Sequence, residues 1–81
     1  MIWSWTWHAA ALRGLHTLHP WTAARLDAAI LAFAETGRGP AHQLNPPDPR
    51  RLVLLVEGAG AVLHLDPETS TLSVMRAFRR R

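Results

Sequence analysis

Residues 51–81 read RLVLLVEGAGAVLHLDPETSTLSVMRAFRRR, and how this stretch divides decides the fold. Arg51 to Glu57 (RLVLLVE) is a β-branched and leucine-rich run, which predicts a strand. Gly58-Ala59-Gly60 predicts a tight turn, and Ala61 to Asp66 (AVLHLD) a returning strand. Asp66 to Ser70 (DPETS) carries Asp and Pro in turn-favouring positions. Thr71 to Phe78 (TLSVMRAF) predicts a third strand, followed by Arg79-Arg80-Arg81. The carboxy-terminal third is therefore a three-stranded meander.

Upstream, residues 37–50 (GRGPAHQLNPPDPR) hold four prolines and two glycines. Proline lacks the N–H that a central strand or a helix interior needs, so this stretch is expected to be a loop. Before it, Trp21 to Thr36 is alanine-rich, with Ala23, Leu26, Ile30, Phe33 and Ala34 on one helical face. Pro20 suits the first helical position, and Gly37 stands where a left-handed C-cap is expected. Ala9 to Leu18 places Leu12, Leu15 and Leu18 three residues apart, with Ala11 beside them, and predicts a shorter helix. Gly14 in its middle weakens helix propensity by about 1 kcal/mol and would let another element approach closely.

The chain opens on IWSWTWH, holding three of its four tryptophans. The alternation from Ile2 to Trp7 predicts a strand with Trp3, Trp5 and Trp7 on one face and Ser4 and Thr6 on the other. The expected order is thus β-α-α-β-β-β, an α+β fold. A helical hairpin packs on a small twisted antiparallel sheet that the first strand must join to pair its backbone. In so thin a core the three indoles are expected to face the helices.

At 81 residues this is one domain, spanning 1–81. With no cysteine, disulfides and thiolate metal sites are excluded. All basic residues are Arg, and the net charge is +3. This suits planar contact with phosphate or carboxylate, and hence nucleic acid or an acidic protein; a GC-rich genome accounts for the Arg bias equally well. No signal-peptide pattern and no run of roughly 18 apolar residues is visible, so the expected location is the cytoplasm, without membrane attachment.

The chemistry-bearing residues follow from strand parity. Val62, His64 and Asp66 share one face of their strand, while Leu63 and Leu65 share the other. If the leucines pack on the helices, His64 points to the open face. Val53, Leu55 and Glu57 are expected there too, with Ser73 and Met75 from the last strand. Metal-free RNA cleavage requires a base for the 2′-hydroxyl, a donor for the leaving oxygen and cations around the phosphate. An open groove with His64, Glu57 and the terminal Arg cluster offers such groups. Each also has a plainer reading: a partly exposed strand histidine, a solvated strand end and a charged tail. Apolar Val53 and Leu55 on the open face suggest a covering partner. His16 and His19 have the i, i+3 spacing of a metal pair, but no Cys or nearby acid completes a site, and no cofactor is expected. Gly58-Ala59-Gly60 lacks the Lys and helix of a phosphate loop.

The whole chain resembles the RelE/ParE family of bacterial toxins from type II toxin–antitoxin modules. An aromatic strand runs into AALRGLHTL, PWTAARLDAAILAFAETGRG follows, and VLLVEGAGAVLHLDPETSTLSVMRAFRRR closes the chain. The resemblance implies a helical hairpin on an antiparallel sheet and a small antitoxin as partner, in a toxin–antitoxin hetero-oligomer. Family members inhibit translation by cutting messenger RNA on the ribosome, without a metal, or else poison DNA gyrase. For the nuclease branch, Arg50 and Arg51 match basic residues at the start of the second strand. Arg80 is nearest to an Arg at the end of the last strand, with Arg76 and Arg79 beside it. The resemblance thus implies Arg76 and Arg80 for catalysis, and His64 and Glu57, read from strand parity, would complete a substitute constellation that is not the family's usual one. It implies Arg50, Arg51, Arg79 and Arg81 for RNA binding. The family's third-strand Arg falls near Gly60 or Ala61 and is missing, as is its late Tyr. Those departures leave room for a gyrase inhibitor acting by contact, or for a chain that only binds an antitoxin.

Overall fold

A computed structural model describes residues 3–80. The chain runs β1 (Ser4–Trp7), α1 (Ala9–His16), α2 (Pro20–Thr36), β2 (Ala41–Asp48), β3 (Arg51–Val56), β4 (Ala59–Asp66) and β5 (Thr71–Arg79). The five strands form one sheet in the order β1-β5-β4-β3-β2. Two helices lie on one face of it, α1 against β5 and α2 across β3 and β4. The expected α+β arrangement holds. The sheet is mixed rather than antiparallel, because β1 runs parallel to its only neighbour, β5.

The expected loop over 37–50 contains the edge strand β2. Edge position makes this compatible with its prolines, since one side of an edge strand needs no donors. Pairing with β3 is continuous from Ala41 to Gln43 and resumes only at Asp48. The hairpin between β3 and β4 is also tighter than Gly58-Ala59-Gly60. Val56 pairs with Ala59, leaving Glu57-Gly58 as the turn, with Gly58 at φ 85°.

The core forms where α2 meets the sheet. Leu26, Ile30 and Ala34 are fully buried against a set that includes Leu54, Ala61, Leu63, Leu72 and Val74. Each leucine or isoleucine contributes about 1.5–3 kcal/mol by leaving water. In α1 the inward residues are Ala11 and Leu15, and Leu18 packs inward from the bend after the helix, which ends at His16 rather than Leu18; Leu12, expected among them, is exposed. Gly14 faces β5 so closely that a Cβ there would stand 2.0 Å from the Ala77 carbonyl oxygen.

His8 provides no side-chain cap to α1, whereas the His19 imidazole Nδ1 accepts the Trp21 N–H at the start of α2. Gly37 ends α2 in the left-handed conformation, φ 70°, and donates its N–H to Phe33. Gly37→Ala places a Cβ in open space, so its cost is backbone strain alone. A loss of about 1 kcal/mol in urea unfolding is expected.

The tryptophans take the expected face, since Trp5 pairs with Leu72 and Trp7 with Val74, both helix-facing. Trp3 and Trp7 pack on the core, but Trp5 remains 42% exposed. An edge strand extends past the helices, so facing them is not the same as being covered. Ile2 lies outside the described residues.

Candidate functional site on the open sheet face

The face opposite the helices is read from the pairing register. Leu63 and Ala61 are buried under the helices, so Val62, His64 and Asp66 point the other way. Arg51 pairs with His64, His64 with Ser73, and Ser73 with Thr6. Asp48 pairs with Arg51. A polar row, Asp48–Arg51–His64–Ser73–Thr6, therefore crosses all five strands. His64 and Ser73 are half-buried in it, while Arg51 and Thr6 are exposed.

The next row depends on a feature invisible in the alternation. Leu63 pairs with Val74, but Val62 pairs with Arg76, so Met75 is an extra residue, a β-bulge in β5. The bulge reverses parity along the rest of the strand. Strict alternation would place Met75 on the open face and Arg76 toward the helices. Instead Ala77 is buried with Ala61, and Arg76 joins Val62 and Val53 on the open face. Arg76 thus lies one row from His64.

The third row is Leu55–Gly60–Phe78. A Cβ on Gly60 would meet the Phe78 ring at 2.5 Å and Leu55 at 2.9 Å. The ring and the leucine occupy the space above the glycine.

The expected site residues thus divide. His64, Arg51 and Arg76 are brought together. Glu57 is not: it sits in the turn one residue beyond Val56, whose pair is five ladder positions from the Arg51–His64 pair, so it lies about 20 Å away at the usual strand rise. The expected groove with His64 and Glu57 side by side does not form. Arg80 belongs to the Glu57 end, where its N–H donates to Gly58 and its Nη1 donates to the Val56 carbonyl at 3.2 Å. Arg25 donates to the neighbouring Glu57 carbonyl. Arg79 pairs with the buried Ala59, so although exposed it falls on the helix side of the sheet and does not join the open-face groups as expected. Arg50 lies in the turn before β3, with its guanidinium 3.7 Å from Glu68. Both side chains are exposed, so that pair contributes little. Arg81 lies outside the described residues.

Sequence reasoning missed Asp48, which lies in the supposed loop, and Phe78. The nearby carboxylates serve their own turns. Asp48 Oδ1 accepts the Arg50 N–H at 2.9 Å, and Asp66 Oδ1 accepts the Glu68 N–H at 3.1 Å. Among the described residues no group of three or more His, Asp or Glu converges as a metal site. Among the same residues no helix is long and apolar enough to cross a membrane. An apolar cavity of 170 Å³, lined by Trp3, Phe33, Gly37, Leu65 and Leu72, lies on the helix side, away from these groups.

Comparison with solved structures finds the same fold in a chain of the toxin–antitoxin complex RelBE2 from Mycobacterium tuberculosis. The TM-score is 0.79, and the match covers 99% of this chain and 100% of that one, at 15% sequence identity. The fold is shared end to end. No family model matches the sequence, and no curated protein matches it. At this identity the shared property is architecture; the residues on the open face carry the functional argument.

Proposed function

We propose that this chain is the toxin of a type II toxin–antitoxin module, of the RelE/ParE kind, and that it inhibits translation by cutting messenger RNA on the ribosome. The observation that carries the reading is the open face, where His64 stands one row from Arg76 and beside Arg51 in the register. The full-length likeness to a chain of a toxin–antitoxin complex supports it.

In this reaction the His64 imidazole takes the proton from a ribose 2′-hydroxyl. The freed oxygen attacks the adjacent phosphorus, and the bond to the 5′-oxygen breaks. The products are a 2′,3′-cyclic phosphate and a 5′-hydroxyl, whose proton comes from water. Arg76 and Arg51 face the negative charge that builds on the phosphate oxygens, a stabilisation gained chiefly in the transition state. Arg50 holds a flanking phosphate, whereas Arg79, on the helix-side parity of Ala59, takes no part. A small antitoxin neutralises the protein by covering the face, burying Val53, Leu55 and Val62 and excluding RNA.

A second reading is favoured by two specific observations. The position of the family's third-strand Arg is held by Gly60 and Ala61, both buried, and Glu57 is remote from His64. A protein so equipped acts by contact alone, with DNA gyrase as the target. Inducing the chain in bacteria separates the two. Growth arrest with new 5′-hydroxyl ends inside transcripts supports cleavage. Arrest with intact transcripts and inhibited supercoiling supports the gyrase reading, and unimpaired growth rejects both.

A further inference from the structure

Phe78 is not among the groups that the cleavage chemistry uses, yet its setting is specific. The bulge at Met75 puts Arg76, Phe78 and Arg80 on the open face at i, i+2 and i+4 of the last strand and its extension, about 7 Å apart. Gly60 beneath the ring has no side chain, and the ring tip lies over it. Phe78 is half-buried, covering the glycine on one side and meeting solvent on the other. Arg80 is held in place by its bond to the Val56 carbonyl and keeps further N–H donors free of that bond. The neighbours in the row and the next one, Leu55, Val53 and Val62, are uncharged.

We infer that Phe78 is a stacking platform for one base of single-stranded RNA, with Arg76 and Arg80 holding the phosphates on either side. Aromatic rings interleaved with cations are what a groove for unpaired nucleic acid requires. The rings take base faces without regard to sequence, and the guanidinium groups follow the backbone. A duplex has no free base face to offer. An acidic peptide would use the two arginines but gain nothing particular from the ring. Gly60 is then kept small so that the ring can lie flat. The inference rests on the RNA reading of the open face, and it adds where the strand enters: from the Arg80 end, over Phe78, towards His64.

The test uses fluorescence anisotropy with a fully 2′-O-methylated RNA of about eight nucleotides, which binds but cannot be cut. Wild-type protein is expected to bind it in a salt-dependent manner and to bind the matching duplex far more weakly. Phe78→Leu, which still fills the space over Gly60, should weaken binding by about tenfold and leave the salt slope unchanged. Phe78→Trp should retain or improve affinity. Arg76→Gln should reduce the salt slope by about 0.7. If the wild type binds RNA and Phe78→Leu binds equally well, the platform is wrong while the RNA reading stands. If the wild type binds no RNA, or binds polyglutamate as tightly, both are wrong. Circular dichroism on Phe78→Leu and Phe78→Trp confirms that each is folded when it is compared.

Discussion

Gly14→Ala should lower the melting temperature by about 12 °C or more. In a solvent-facing helix the same change would stabilise the chain by about 1 kcal/mol, because alanine is the better helix former. Here the added methyl would meet the Ala77 carbonyl oxygen at 2.0 Å. That oxygen belongs to backbone in a paired strand and cannot rotate away. α1 must therefore lift from β5, opening the contact around Ala11 and Leu15. Overpacking of this kind typically costs 1–3 kcal/mol, and contact with fixed backbone belongs at or above the upper end, about 3 kcal/mol. For a chain of this length each kcal/mol moves the midpoint by about 4–8 °C. Gly37→Ala is the internal control, with its much smaller loss. Thermal melts of the two variants side by side give the comparison, and equal melting temperatures would show that α1 is not seated as described.

His64→Ala should reduce RNA cleavage by about 10²- to 10⁴-fold, the usual contribution of a positioned general base. Its fold should be unaffected, since the side chain is half-buried on the open face and outside the apolar core. Arg76→Ala should act on the same step by removing a cation from the developing charge. The two residues act on one reaction, so the double variant should lose less than the product of the single effects. Single-turnover cleavage rates measure this. Glu57→Ala, by contrast, should leave the rate near that of the wild type, because its carboxyl group sits at the far end of the sheet. A loss comparable to that of His64→Ala would mean that the substrate bridges both ends of the face.

Much of this architecture could be read from residue order, and the exceptions have physical causes. The helices announced themselves through Pro20, the Leu26–Ile30–Ala34 face and Gly37. The β3–β4–β5 meander did so through alternation and turn chemistry. β2 was hidden because prolines are normally a sign against a strand. That sign fails at a sheet edge, and more so where the ladder is interrupted between Gln43 and Asp48. Asp48 disappeared with it. The tryptophan face was legible because period two fixes sidedness. The exposure of Trp5 was not, because coverage depends on where the helices end.

The site shows the same division. His64 and Arg51 could be placed on the open face by parity within each strand. Their adjacency was not legible, since it depends on the two-residue Glu57-Gly58 turn; the expected Gly58-Ala59-Gly60 turn shifts the register by three. Arg76 could not be placed, since the Met75 bulge reverses parity in mid-strand and nothing in TLSVMRAF marks it. Glu57 was misjudged for a related reason. It shares the parity of Val53 and Leu55, but parity says nothing about position along the strand, and a two-residue turn carries it away from His64. Phe78 looked like ordinary strand filling until the bulge set it over Gly60.

The most direct test of the central claim is cleavage by purified protein of a messenger RNA programmed on ribosomes, with the new ends mapped by primer extension. The wild-type chain is expected to cut the message without added metal beyond what the ribosome requires, leaving a 5′-hydroxyl. His64→Ala and Arg76→Ala are expected to leave the message intact while remaining folded. An uncut message with folded wild-type protein at micromolar concentration, or equal cutting by wild type and His64→Ala, would contradict the assignment of the open face as the centre of an RNA-cleaving toxin.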